Sequence, residues 1–172
     1  MDFEEVITKR YSVRDLADKP VSDEQIDKIL KAAQLAPTAV NKQPFKVWAL
    51  KSQEARDKGA ESFNFEFAKK APVLFVVGAN EKEAWVRPAD GHNFAEIDAA
   101  IAATQMMLEV ENLGLGTTWI GHFDPEKLKK AFPQMQPYFL EAIFGVGYPA
   151  ANAAPSPRHE QSKSIEELVE IL

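Results

Sequence analysis

Three cations and a hydroxyl crowd into six residues, Lys9-Arg10-Tyr11-Ser12-Val13-Arg14, of a chain whose formal net charge is -6. An Arg guanidinium offers a planar fork of donors that fits a phosphate bidentately, and a Ser hydroxyl adds a further bond, so this composition suits a phosphate group. A purely structural alternative is that Lys9 and Arg10 complement the negative C-terminal end of the helix before them. A second segment, Ala36-Pro37-Thr38-Ala39-Val40-Asn41-Lys42-Gln43-Pro44-Phe45, sets amide side chains between two prolines. Amides both donate and accept, as the edges of a heteroaromatic ligand require. The same segment also reads as a helix-to-strand connector with local side-chain bonds to its own backbone. Taken together, the two segments ask for a ligand with a phosphate and heteroaromatic edges.

Other chemistries lack their residues. With 0 Cys there are no thiol nucleophiles, thiolate zinc sites, iron-sulfur ligands or disulfides. His92, His122 and His159 are far apart in sequence and none has a carboxylate pair at ligand spacing, so no metal site is expected. The phosphate-binding Gly-x-x-x-x-Gly-Lys-Ser/Thr loop, the Gly-x-Ser-x-Gly elbow and His-Glu-x-x-His are all missing. Gly114-Leu115-Gly116 follows a helical pattern and lacks a third Gly, which reads as a helix stop and not a dinucleotide fingerprint. Gly145-Val146-Gly147 follows strand-like residues, but Pro149 forbids the helix whose N-terminus would hold a pyrophosphate. Carboxylates such as Glu4-Glu5, Asp23-Glu24 and Glu166-Glu167 belong to solvated helix faces, and none pairs for acid/base work.

The elements that must position these residues follow from periodicity. A short amphipathic helix over Phe3–Lys9 carries Phe3, Val6 and Ile7 on one side. Ser22 with Gln25 forms a capping box for a helix burying Ile26, Ile29, Leu30 and Ala33, which Pro37 ends. Phe45–Leu50 reads as a strand, residues 53–70 as a helix, and the unbroken apolar run 72–79 as a strand buried on both faces. The helix over 97–113 is apolar almost all round and must be covered on several sides. A second copy of the chain laid over it is the economical cover, so a homodimer is expected. Residues 117–121 and 142–148 are strands, Asp124-Pro125 starts a helix running to Phe132, and 149–163 is an extended excursion before a closing helix capped by Ser164 and Glu167. Two helices precede any strand and the spacing is irregular, so α+β is favoured over a doubly wound parallel sheet.

At 172 residues, 45% hydrophobic and 27% charged, the chain has room for one domain with its own core, spanning 1–172. The acidic balance removes counterion release as a driving force, so nucleic acid and anionic membranes are not expected partners. The start Met1-Asp2-Phe3-Glu4-Glu5 lacks the positive charge of a signal peptide, and no apolar run approaches the ~18 residues of a membrane span. An unprocessed cytoplasmic protein is the expectation.

Along nearly its whole length the chain resembles the nitroreductase family of FMN-dependent oxidoreductases. Arg10-Tyr11-Ser12-Val13-Arg14 is similar to the family's opening Arg-x-Ser-x-Arg, and residues 36–45 to its Ala-Pro-Ser-x-x-Asn-x-Gln-Pro-Trp pattern, with Ala39 and Phe45 as departures. Residues 113–125, Leu-Gly-Leu-Gly-Thr-Thr-Trp-Ile-Gly-His-Phe-Asp-Pro, resemble the signature Gly-Leu-Gly-x-x-Trp-Ile-Gly-x-Phe-Asp. Gly147-Tyr148-Pro149 and the ending 163–168 complete the likeness, although Ser162-Lys163 stands where a basic pair is usual.

The resemblance implies a nitroreductase-like fold, a mostly antiparallel central sheet surrounded by helices, in an intertwined homodimer with FMN at the interface. It implies hydride transfer from NADH or NADPH through flavin N5 to nitroaromatics, quinones or similar acceptors by a ping-pong mechanism, with no obligatory protein acid or base. Arg10, Ser12 and Arg14, with Tyr11 between them, would hold the phosphate and ribityl chain. Pro37, Thr38 and Ala39 of the opposite subunit would lie along the flavin, with Asn41 and Gln43 shaping that loop or reaching the ligand. Asn64 is a further carry-over. Ile120, Gly121 and His122 would line the isoalloxazine with backbone near N5, and either Arg158 or Lys163 would complete the phosphate site. An FMN-binding redox sensor or flavin reservoir without turnover would carry the same motifs.

Overall fold

The computed structural model describes residues 1–172. Helices α1 (Phe3–Lys9) and α2 (Asp23–Gln34) come before the first strand, β1 (Phe45–Leu50). There follow α3 (Gln53–Ala60), α4 (Glu66–Lys69), β2 (Val73–Ala79) and α5 (Ala95–Asn112). The chain closes with β3 (Trp119–Ile120), α6 (Pro125–Ala131), β4 (Phe139–Val146) and α7 (Ile165–Leu168). One sheet runs β1-β2-β4-β3 with each neighbouring pair antiparallel, as the α+β reading expects.

Alternation along β2 divides the interior in two. Val73, Phe75, Val77 and Ala79 meet Ile26, Ile29 and Ala33 of α2 and Ala99, Ala102 and Met106 of α5. Leu74 and Val76 point to the other face, where Phe63, Ala68, Leu128 and Met135 cover them. Every residue of β2 is buried, which its unbroken apolar run requires. Emptying the central position, Phe75→Ala, costs about 3–5 kcal/mol by loss of transfer energy and creation of a cavity. Between Val77 and Gly78 the register with β4 shifts, so that Glu141 is the extra residue of a bulge.

The caps form where the sequence places them. The Ser22 hydroxyl accepts from the Gln25 N–H at 3.2 Å, and the Gln25 side chain accepts from the Ser22 N–H at 3.1 Å. Ser164 and Glu167 make the same box, and Asp124 caps α6 through the N–H groups of Glu126 and Lys127. α5 stops at Gly114, whose φ of +69° lets the Leu115 N–H reach back to the Val110 carbonyl.

Four expectations shift. The helix over 53–70 is two short helices, because the Ser62 hydroxyl takes the Gly59 carbonyl at 2.7 Å and the Asp124 N–H takes the Ser62 carbonyl at 2.8 Å. Phe63 turns into the core at that break. On α1 only Val6 is buried, while Phe3 is 70% and Ile7 46% exposed. The sheet and α2 cover much of α5 within one chain, leaving Ile97 exposed and Ile101, Met107 and Leu108 half-buried. β3 is only two residues long, since Ser12 takes over pairing at Thr117 in a parallel bridge.

Candidate functional site

Residues 10–14 run between α1 and α2 and are fastened to the segment that leads into β3. The Val13 N–H donates to the Thr117 carbonyl at 3.0 Å, and the Thr118 hydroxyl donates to the Val13 carbonyl at 2.7 Å. Gly116 exchanges backbone bonds with Gly147 at 2.7 and 3.2 Å, tying both segments to the end of β4. A Cβ on Gly116 would stand 2.6 Å from Val13 Cγ2, so glycine is the residue that lets the two segments meet. The cationic segment and the Trp119-Ile120-Gly121 segment are therefore one packed unit.

Arg10, Tyr11, Ser12 and Arg14 line a cavity of about 580 Å³ together with Arg158 and His159, which the turn Pro157–Glu160 carries back across the molecule. Tyr11 and His159 meet edge to face with ring centroids 6.3 Å apart. None of the three arginines enters any of the chain's ion pairs with a carboxylate. Three guanidiniums that enter no ion pair, together with the Ser12 hydroxyl, are donors that could hold an anion. Lys163 is not among the residues lining this cavity, although its neighbour Ser162 is.

A second cavity of about 250 Å³ brings Asn64 beside His122, with Phe63 and Lys127. Phe65 meets the His122 ring edge to face at 6.3 Å. Ile120 is buried, whereas Gly121 and His122 are exposed at the strand's end. A Cβ on Gly121 would touch nothing within 4 Å, and its backbone is not left-handed. Neither packing within the chain nor φ explains a glycine there, whereas close approach by a flat ligand does. On its other side Gly121 shares a cavity with Glu96, Phe139 and Glu141. Burial pushes the Glu141 carboxyl above the usual carboxylate range and the nearby Glu96 charge adds to the effect; Glu141 Oε2 has no partner.

Pro37, Thr38, Ala39, Asn41 and Gln43 line none of these three cavities. Their loop is strained and heavily anchored: Val40, Asn41 and Gln43 hold φ of 45°, 55° and 49°, a region that Asn tolerates but that costs Val or Gln about 1–2 kcal/mol. The Gln43 N–H donates to the Thr38 hydroxyl at 3.0 Å, and the Gln43 amide donates to the Gln34 carbonyl at 3.1 Å. Asp98 of α5 completes the clamp, its Oδ1 accepting from the Ala39 N–H at 2.9 Å, while Oδ2 is buried without a partner. Strain kept up by three anchors is a mark of a ligand-contacting loop. Sequence reading assigned no role to Asp98, though it is the one carboxylate on the buried face of α5.

Comparison with known proteins identifies the family. The model of the nitroreductase family matches residues 7–64 and 61–148, and the chain belongs to that family. A Bacillus subtilis protein named FMN reductase [NAD(P)H] is 29% identical over 171 residues, covering 90% of this chain and 69% of the relative. The crystal structure of a nitroreductase family protein from Clostridium difficile 630 superposes with a TM-score of 0.89 at 30% identity, over 99% of this chain and 98% of the other. A protein from Exiguobacterium sibiricum solved in complex with FMN shares the fold, with a TM-score of 0.85 at 20% identity over 100% of this chain and 98% of that one.

Proposed function

We propose that this protein is an FMN-dependent oxidoreductase that passes hydride from NADH or NADPH through flavin N5 to a nitroaromatic or quinone acceptor in a ping-pong cycle. The observation that carries the reading is the cavity uniting Arg10, Ser12 and Arg14 with Arg158, on a segment hydrogen-bonded to the one ending in the open Gly121. That arrangement fits a phosphate at one end and a flat ring system at the other. The bidentate donors of Arg10, Arg14 and Arg158 hold and neutralise the phosphate, and the Ser12 hydroxyl orients it. Ile120 supplies an apolar floor, Gly121 and His122 present backbone to the ring, and Asn64 stands beside them. No protein acid or base is assigned, because the flavin carries the redox chemistry.

The functional unit is a homodimer of the single domain 1–172. Support comes from apolar side chains left uncovered in one chain: Phe3 and Leu35 flank a groove of about 430 Å³ together with Leu108, and Ile165, Leu168 and Ile171 of the C-terminal arm are exposed. In the dimer the strained 37–43 loop of the opposite subunit lies along the flavin, which accounts for its standing apart from the arginine cavity and the two cavities at Gly121 and His122 in its own chain. No helix is long and apolar enough to cross a membrane, in keeping with a cytoplasmic enzyme.

Steady-state kinetics with NADPH or NADH against a nitroarene test the cycle. Parallel double-reciprocal lines are expected, and intersecting lines would remove the shared-site mechanism. Sedimentation at micromolar concentration should give twice the chain mass, whereas a monomer retaining full activity would remove the interfacial site.

A further inference from the structure

A cavity of about 850 Å³, larger than any described above, opens at the opposite end of the sheet from Gly121 and shares no lining residue with the arginine cavity. It lies where β2 begins, against Ala71 and Pro72, and Leu16, Val21 and Ile26 give it an apolar wall. Lys19, Lys51, Arg56, Lys69 and Lys70 face it, and Asp18 is the one carboxylate among the lining residues. In a chain with 26 Asp+Glu and 20 Lys+Arg, that lining reverses the overall sign of charge.

The cations come from four places in the fold, and most are held in position. Lys19 Nζ sits 3.6 Å from the centre of the Tyr148 ring, whose hydroxyl is itself bonded to Gln25 at 3.1 Å. Lys51 is tethered to Asp23 at 2.5 Å and Lys69 to Glu66 at 2.7 Å. Arg56 donates to the Lys51 carbonyl and to the Gln53 side chain at 2.6 Å. Lys19, Arg56 and Lys70 appear in none of the ion pairs. Like charges gathered at one cavity favour a ligand that carries several negative charges. A chain of phosphates offers such a site several charges, where a lone carboxylate offers one.

We infer that this cavity is a second anion site that binds a small di- or triphosphate, free or esterified to an apolar body that the Leu16, Val21 and Ile26 wall accepts. It is independent of the redox reading and gives the protein a way to sense or carry phosphorylated small molecules away from the flavin.

The test is calorimetric titration of the FMN-saturated dimer with inorganic pyrophosphate, and separately with ADP, at physiological ionic strength. Saturable binding of one pyrophosphate per chain is expected, weakened at least tenfold in the Lys19→Ala/Lys70→Ala double variant, with FMN retention and reductase rate unchanged. ADP binding more tightly than pyrophosphate supports the esterified ligand, and equal affinity supports the free polyphosphate. The inference is overturned if heat is absent or non-saturable, if equivalent NaCl abolishes it, or if the double variant binds as the parent does. Should the chain not hold FMN, the same titration is run on an Arg10→Ala background. Loss of pyrophosphate binding there would place it in the arginine cavity and overturn the second site.

Discussion

Replacing Gly116 by Ala tests whether the cationic segment and the Trp119-Ile120-Gly121 segment act as one unit. The added Cβ would lie 2.6 Å from Val13 Cγ2, 2.8 Å from Val13 Cβ and 3.0 Å from Val13 Cγ1. Val13 is 1% exposed and β-branched, so it cannot swing aside within its packing. Overpacking of this kind costs about 1–3 kcal/mol, and each kcal/mol lowers Tm by about 2–4 °C in a chain of this length. Relief comes by moving residues 12–14 outward, which stretches the Val13–Thr117 and Thr118–Val13 bonds and displaces Arg10 and Arg14 from the cavity. Gly116→Ala should therefore lose FMN affinity as well as stability, although residue 116 touches neither cavity. Val13→Ala removes two of the three clashing atoms, so the two substitutions together should cost less than their sum by about 1 kcal/mol, measured by urea denaturation and by fluorescence titration of FMN. Strict additivity, or full FMN affinity in Gly116→Ala, would refute the coupling.

Arg10→Ala removes charge-assisted phosphate bonds worth about 1.5–3 kcal/mol, so FMN affinity should fall at least tenfold, with Arg10→Lys between the two. Arg158→Ala should weaken FMN binding while Lys163→Ala leaves it unchanged, and the reverse ranking in equilibrium dialysis would contradict the placement of the turn Pro157–Glu160. Asp98→Ala should raise hydrogen-exchange rates at Ala39 and its neighbours, Asp98→Asn should restore protection through the retained oxygen, and unaltered exchange in Asp98→Ala would show that the loop holds itself. Glu141 binds its proton more tightly in the folded chain than in the unfolded one, so stability falls as pH rises from the ordinary carboxylate value through the raised one, and the penalty is complete above it. Glu141→Gln should accordingly melt higher than the parent at neutral pH and lose that advantage on acidification; a pH-independent difference would contradict the assignment.

Much of this architecture is legible in the sequence, because its strongest signals are local. The Ser22 and Ser164 boxes, the stop at Gly114 and the apolar run of β2 each depend on residues within a few positions of one another, and each forms as expected. The misread helix over 53–70 shows where that logic ends. Its break is enforced by a hydrogen bond from Asp124, far along the chain, and no window around Ser62 contains that information. The arginine cavity is half legible: Arg10, Ser12 and Arg14 stand together in sequence, but the arrival of Arg158 beside them depends on how a long excursion folds back. Likewise the φ values of Val40 and Gln43 have no sequence signature, since these residue types, unlike Asn41, ordinarily avoid the left-handed region, and anchors from Asp98, Thr38 and Gln34 hold the loop.

The most direct test of the account is a visible spectrum. The purified protein is mixed with FMN, desalted, and titrated anaerobically with NADH and then NADPH while the flavin band is followed. Retained flavin that bleaches with at least one nicotinamide and recovers on adding a nitroarene or quinone is the predicted result. A desalted protein without colour, or a bound flavin that neither nicotinamide bleaches, would contradict it.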